Sequence, residues 1–207
     1  MIEKDSVVLV QADSDHNEAQ TREIVRKIKN GNKEAFSEIV KLYRNQVAAL
    51  AYKVVNDYDD AADVVQDVFV KTSQNIWRYD ENKKFYTWLY RITLNASIDY
   101  LRKHRRHQHE AIDEVRDRAD SRAATPDAVY RKEQLNQHLS EAIASLTGKQ
   151  RSAFILRDVD GCHIKHVSDI MNMPEATVRW YLYRARQTIK RDLMVRCPQL
   201  LFAIGLK

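Results

Sequence analysis

Glycine and proline are scarce in this chain, with 4 and 3 among 207 residues. Few turns are forced, and long helices can run without interruption. Alternating runs of β-branched residues are nearly absent, which argues against a β-rich fold. Cysteine is limited to Cys162 and Cys197. Two thiols make no disulfide framework, and a reducing compartment is the simpler reading. The chain does not open with a basic segment followed by an apolar run, so no signal peptide is expected. Leu200 to Leu206 is apolar, but far short of the roughly 20 residues that span a bilayer. These absences lead us to expect a cytoplasmic protein with no stable membrane insertion.

What is present is helix-forming. Hydrophobic residues make up 44% of the chain and charged residues 30%, with a formal net charge of +5. The basic excess suits a nucleic-acid partner without requiring one. From Thr21 the apolar residues recur at threes and fours: Ile24, Ile28, Phe36, Ile39, Val40, Tyr43, Val47, Leu50, Ala51 and Val54. That is the helical period. Asp57 to Asp60 forms an acidic turn ahead of a helix that runs to about Trp77, and acids suit the positive end of a helix. Arg78 to Lys84 reads as a polar loop, and Phe85 to about Arg106 as another helix.

Between residues 107 and 129 the charges alternate, aromatics vanish and Thr125-Pro126 interrupts, as in a linker. The plan is all-α: a tail over 1–20, a helical module over 21–106, the linker, a second module over 130–195 and a tail over 196–207. Within the second module Gly148 is expected to end one helix and Gln150 to about Val159 to form the next. Asp160-Gly161 is then a turn. Ile164, Val167, Ile170 and Met171 form a short apolar stripe. Asn172 follows, one of the few residues other than glycine that tolerate a left-handed backbone, and Pro174 can open the next helix.

That last helix buries Val178, Leu182, Ala185 and Ile189 on one side. It turns Glu175, Thr177, Arg179, Trp180, Tyr183 and Arg184 outward. A short apolar helix, a turn and a longer basic, aromatic helix form the helix-turn-helix that enters a DNA major groove. Each arginine paired with a guanine edge gives about 1–3 kcal/mol of discrimination. A merely solvated basic face is the plain alternative, but the turn chemistry and helix lengths favour DNA. Repressors carry similar units, so this module alone does not fix the function.

Two strings in the first module add specificity. They are Asp63 to Phe69, D-V-V-Q-D-V-F, and Phe85 to Arg102, F-Y-T-W-L-Y-R-I-T-L-N-A-S-I-D-Y-L-R. With them, the chain from about Phe36 to Leu193 resembles an extracytoplasmic-function (ECF) sigma factor of the sigma-70 family. The resemblance implies a sigma region 2-like bundle and a region 4-like helix-turn-helix. It implies binding to core RNA polymerase, through its clamp helices and flap, and to promoter DNA. An anti-sigma factor is also implied. No catalytic residue and no cofactor are expected, because the polymerase does the chemistry.

The resemblance carries roles onto particular residues. Asp59, Asp60, Asp63, Gln66 and Asp67 would meet the clamp helices. Tyr79, Asn82, Lys83, Lys84, Tyr86, Tyr90, Arg91, Asn95, Arg102 and Arg105 would recognise and melt the −10 element. There unpaired bases need rings to stack on, at about 1–3 kcal/mol per base. Phe85, Trp88 and Leu89 share a face and are expected to pack in the core. Glu175, Thr177, Arg179, Trp180, Tyr183 and Arg184 would read the −35 element. The chain departs from the family's usual pattern at Lys165 and His166, at Ser168, at Ala176 and at the bulky Trp180. These departures bear on the −35 sequence that is read, not on the fold.

His104, His107, His109, Cys162, His163 and His166 lack the spacing of a zinc finger, so no metal site is expected. A stand-alone helix-turn-helix regulator would explain the second module but not the two strings. A nuclease would need grouped carboxylates in a cleft, and the acidic residues lie along a helix instead.

Overall fold

The computed structural model describes residues 18–110 and 138–196, with backbone only over 105–110. Among these residues every regular element is helical. The first half holds α1 (18–29), α2 (Phe36–Val55), α3 (Tyr58–Asn75) and α4 (Phe85–Glu110). The second holds α5 (138–144), α6 (Gly148–Phe154), α7 (Ile164–Met171) and α8 (Glu175–Arg196). The linker at 107–129, most of the N-terminal tail and nearly all of the C-terminal tail, including Cys197, lie outside the described residues or are seen as backbone only.

Local chemistry sets the helix ends. Asn56 adopts the left-handed conformation at φ 63° and closes α2. Asp57 then caps α3, its Oδ1 accepting from the amides of Asp59 (2.9 Å) and Asp60 (3.0 Å). Asn172 is left-handed at φ 53°, as its turn position predicted, and ends α7. Pro174 directly precedes α8, and its carbonyl accepts from Thr177 and Val178.

Three expectations change. The stretch read as a tail is already helical by residue 18, and buried Glu18 caps α4 by accepting from the Phe85 amide at 2.9 Å. Gly148 opens α6 rather than ending α5, because Gln150 Oε1 reaches back to the Thr147 amide at 3.0 Å. The helix expected through Val159 widens into a π-turn over Ile155–Val159.

Helices α2, α3 and α4 all pack on one another. Ile39, Tyr43 and Val47 from α2 meet Val64 and Val68 from α3 and Phe85 and Leu89 from α4 in a closed core. In the second half α8 lies across α6 and α7. Ala142, Leu146, Ala185 and Ile189 form a separate apolar cluster there. The two halves pack on one another. Helix α7 packs on α4, and α6 on both α2 and α4, so one apolar cluster runs from Tyr86 and Tyr90 into Val167 and Ile170.

Candidate nucleic-acid interface

Helix α3 buries Ala61, Val64, Val65, Val68 and Phe69 and leaves Asp59, Asp63, Gln66 and Asp67 exposed. Asp60 is half-buried, and its carboxylate accepts from the Tyr100 hydroxyl at 2.6 Å. Asp67 pairs with Lys71 one turn on at 2.7 Å. Beside this acidic rim runs a groove of about 560 Å³ between α2 and α3, lined in part by Val40, Ala48, Val65 and Phe69. Tyr52 and Tyr58 stack at its edge at 4.3 Å, and the Tyr58 ring is exposed. Acceptors around an apolar furrow can seat a basic helical partner, with the furrow supplying anchors and the rim supplying steering.

The residues assigned to the −10 element divide into two sets. Asn82, Lys83, Lys84, Asn95 and Arg102 are exposed, whereas Tyr79, Tyr86 and Tyr90 are buried. Tyr79 serves the loop itself. Its hydroxyl donates to the Lys83 carbonyl, and its ring packs edge-on against Phe85 at 5.2 Å. Lys29 donates to its carbonyl at 3.0 Å. Burial pushes the Tyr79 hydroxyl above its ordinary range, so it stays protonated and able to donate. Tyr86 and Tyr90 lie against each other at 4.0 Å, and the far face of Tyr86 stacks on His166 of α7 at 5.7 Å. Arg91 donates to the carbonyls of Asp169 (2.6 Å) and Ile170 (3.1 Å) at the end of α7. Arg102 pairs with Asp99 at 3.1 Å. The side chain of Arg105 lies outside the described residues.

The physical reason for the buried tyrosines is their two-sided character. A phenol offers the same ring to a base or to a core, and the hydroxyl needs only one partner. Trp88 shows the converse. Expected in the core, it packs on Tyr79 (5.4 Å) and Phe85 (5.5 Å) but stays half-open. Its open side faces a cavity of about 410 Å³ shared with Lys71, Asn75, Arg78 and Asn95. Trp77, in the 3-10 turn Ile76–Arg78 that follows α3, is exposed. Trp77 was not singled out from sequence. The available signal was that Trp77-Arg78 ends an amphipathic helix with a bulky ring beside a charge.

Helix α8 presents its predicted face. Val178, Leu182, Ala185 and Ile189 are buried, while Arg179, Trp180, Tyr183 and Arg184 are exposed and Glu175 and Thr177 half-exposed. Arg179 pairs with Glu175 at 2.6 Å. The Arg184 guanidinium lies 5.8 Å from the centre of the Trp180 ring, so the bulk of Trp180 points into solvent and props its neighbour. Arg186, further along, is held by Asp158 through two bonds of 2.6 and 2.9 Å.

His104 stacks on Tyr100 at 4.0 Å, and Cys162 is a buried free thiol. Among the described residues no group of three His, Cys, Asp or Glu could hold a metal ion. No helix there is long and apolar enough to cross a membrane.

An α3 with an acidic outer face, an aromatic and cationic rim at the start of α4 and a helix-turn-helix define a two-module transcription factor. The comparisons agree. Sigma-70 region 2 matches residues 39–107 and Sigma-70 region 4 matches residues 137–189. The chain is 32% identical over 173 residues to the ECF RNA polymerase sigma-E factor of Escherichia coli K12, covering 80% of this chain and 90% of that one. It is 28% identical over 184 residues to the ECF RNA polymerase sigma factor SigW of Bacillus subtilis, covering 85% and 98%. In fold it is similar to CnrH, solved in complex with the cytosolic domain of CnrY, at a TM-score of 0.56 and 22% identity, over 84% of this chain and 97% of that one. The chain belongs to the extracytoplasmic-function branch of the sigma-70 family. It is a non-enzymatic initiation factor that directs RNA polymerase to promoters.

Proposed function

We propose that three surfaces divide the work of this sigma factor. The acidic rim of α3, with Asp59, Asp60, Asp63, Gln66 and Asp67, binds the clamp helices of core polymerase, and the α2–α3 groove receives apolar side chains of the same partner. The 78–84 loop and α4 bind the −10 element. Lys83, Lys84, Arg91 and Arg102 take phosphates, and Asn82 and Asn95 take base edges. Trp88 offers a stacking ring in the cavity that also holds Asn75 and Arg78. Tyr86 and Tyr90 join them when α7 moves off. Arg179, Trp180, Tyr183 and Arg184, with Glu175 and Thr177 at the helix start, read the −35 element in the major groove. The two modules follow the same division, the first taking in residue 18 through the cap that Glu18 places on α4. We place the protein in the cytoplasm, with an anti-sigma protein among its partners.

One observation carries this reading. The apolar side of each functional helix is buried, and its chemically distinct side, acidic on α3 and basic-aromatic on α8, is exposed. The test is run-off transcription by core polymerase over a random promoter library. Asp63→Lys with Asp67→Lys is expected to abolish co-purification with core; unchanged recovery refutes the clamp assignment. Tyr86→Ala is expected to slow melting on duplex promoters more than on pre-opened ones, and equal slowing on both rules out its melting role.

A further inference from the structure

Helix α1 carries no residue assigned to polymerase or DNA, yet it grips the 78–84 loop at both ends. Near its start, Glu18 accepts from the Phe85 amide at 2.9 Å, where the loop enters α4. At its end, Lys29 donates to the Tyr79 carbonyl at 3.0 Å and to Glu81 Oε1 at 3.1 Å. The same ammonium stands 5.9 Å from the centre of the Tyr79 ring. Arg26, one turn earlier, donates to the other carboxylate oxygen, Glu81 Oε2, at 3.2 Å. These contacts join residues 50 to 67 positions apart, so they belong to the tertiary fold and not to the loop alone.

The grip fixes both the shape and the charge of the loop. Within it, Asp80 Oδ1 accepts from the backbone amide (3.0 Å) and the side-chain amide (3.1 Å) of Asn82, and the Lys83 amide donates to the Asp80 carbonyl at 3.0 Å. A Glu81 carboxylate turned outward would repel a phosphate. Hydrogen bonds from Lys29 and then Arg26 instead claim both of its oxygens and hold it below the usual carboxylate range. Asn82, Lys83 and Lys84 are left exposed. A single surface ion pair contributes little. Here two cations share one carboxylate, and the Lys29 side chain is only 23% exposed, which is the networked case that does hold a segment in place.

We propose that α1 is a splint for this loop: Glu18, Arg26 and Lys29 are positioning residues that set how sharply Asn82, Lys83 and Lys84 discriminate among −10 sequences, acting through the loop and not on DNA. The splint rests on the assignment of the loop to the −10 element. A loop held in one shape before DNA arrives has its ordering cost already met. It also cannot adapt to a mismatched base, whereas a loosened loop can. Loosening therefore lowers selectivity more than it lowers total binding.

The test is abortive initiation by the full-length chain with core polymerase. Templates are pre-opened across the −10 element and carry either the sequence selected from the random library or that sequence with one base changed. Lys29→Met removes the donor and keeps the stem, and Lys29→Arg keeps both donor and charge. Lys29→Met is expected to lower the ratio of initiation on selected over changed templates by about 3–10-fold, and Arg26→Ala by about 2-fold. Lys29→Arg should restore most of the ratio. All three should co-purify with core polymerase as the wild type does and keep their preference at the −35 element, which a general loss of folding would not spare. Should Lys29→Met fail to fold, Glu81→Gln removes the shared charge more gently and is expected to lower the ratio by about 2–5-fold. Asn82→Ala with Lys83→Ala reports on the loop itself. If that pair erases −10 selectivity while Lys29→Met, Arg26→Ala and Glu81→Gln keep the wild-type ratio, the splint is overturned. A Lys29→Arg chain as unselective as Lys29→Met overturns it as well. If the loop pair leaves selectivity intact, the −10 assignment fails, and the splint with it.

Discussion

Arg151 offers the sharpest test of how the second half is held together. Its guanidinium is buried, and three of its N–H groups reach carbonyls of Ile143, Ala144 and Val54. Methionine in its place keeps much of the length but removes every donor. Hydrogen bonds to a charged group contribute about 1.5–3 kcal/mol each. Two of the three lie within the second half, which gives about 3–6 kcal/mol if nothing replaces them. Against a domain stability of about 5–15 kcal/mol, that is a large share. Arg151→Met is therefore expected to lower the urea midpoint of the transition that unfolds α5–α8 by on the order of 1–6 M. Circular dichroism at 222 nm on the full chain follows both halves; tryptophan fluorescence in a Trp77→Phe, Trp88→Phe background, where Trp180 on α8 alone remains, separates the second. Arg151→Lys, with a single point of charge, should fall between the two. A loss below about 1 kcal/mol for Arg151→Met would show that the three carbonyls find other partners, and would remove the guanidinium from the account of the second half and of its contact with α2.

The remaining expectations concern smaller features. Asn172 stands at φ 53°, so Asn172→Ala should cost about 1–2 kcal/mol in thermal unfolding while Asn172→Gly costs far less; equal losses would point to the amide rather than the backbone. Trp180→Ala removes the ring beneath Arg184 and should weaken use of the upstream promoter element by about 2–5-fold. Transcription from templates lacking that element should be unchanged, and an equal fall on both templates would refute a recognition role. His166 has its ionisation pushed below the usual histidine range, chiefly by burial, with Lys84 and His163 reinforcing and Asp169 opposing. Lys83 and Arg91 face the same cleft, and Tyr86 lies against the ring. The neutral imidazole is the form that fits, so its stabilisation is fully present above about pH 6.5 and is lost as pH falls below that value. Scattering should show the free chain expanding between neutral pH and about pH 5, and His166→Phe should flatten that dependence. A His166→Phe chain that still expands with acid would place the effect elsewhere.

Much of this protein could be read in its sequence because local rules govern those parts. The 3.6-residue period fixed which side of α3 and α8 is apolar, and hence which acids and arginines are exposed. Asn172 fixed the turn between α7 and α8, since few side chains tolerate a left-handed backbone. The strings D-V-V-Q-D-V-F and W-L-Y-R-I carried the resemblance to the family. Tertiary structure decided what no period encodes. The fates of Tyr79, Tyr86 and Tyr90 depended on which surfaces came to cover them, and Trp88 was left half-open by the same packing. Arg91 and Arg151 found their carbonyls 79 and 97 residues away. A short repeat reports only the direction a side chain takes from its own helix. What stands opposite it is set by the meeting of distant helices.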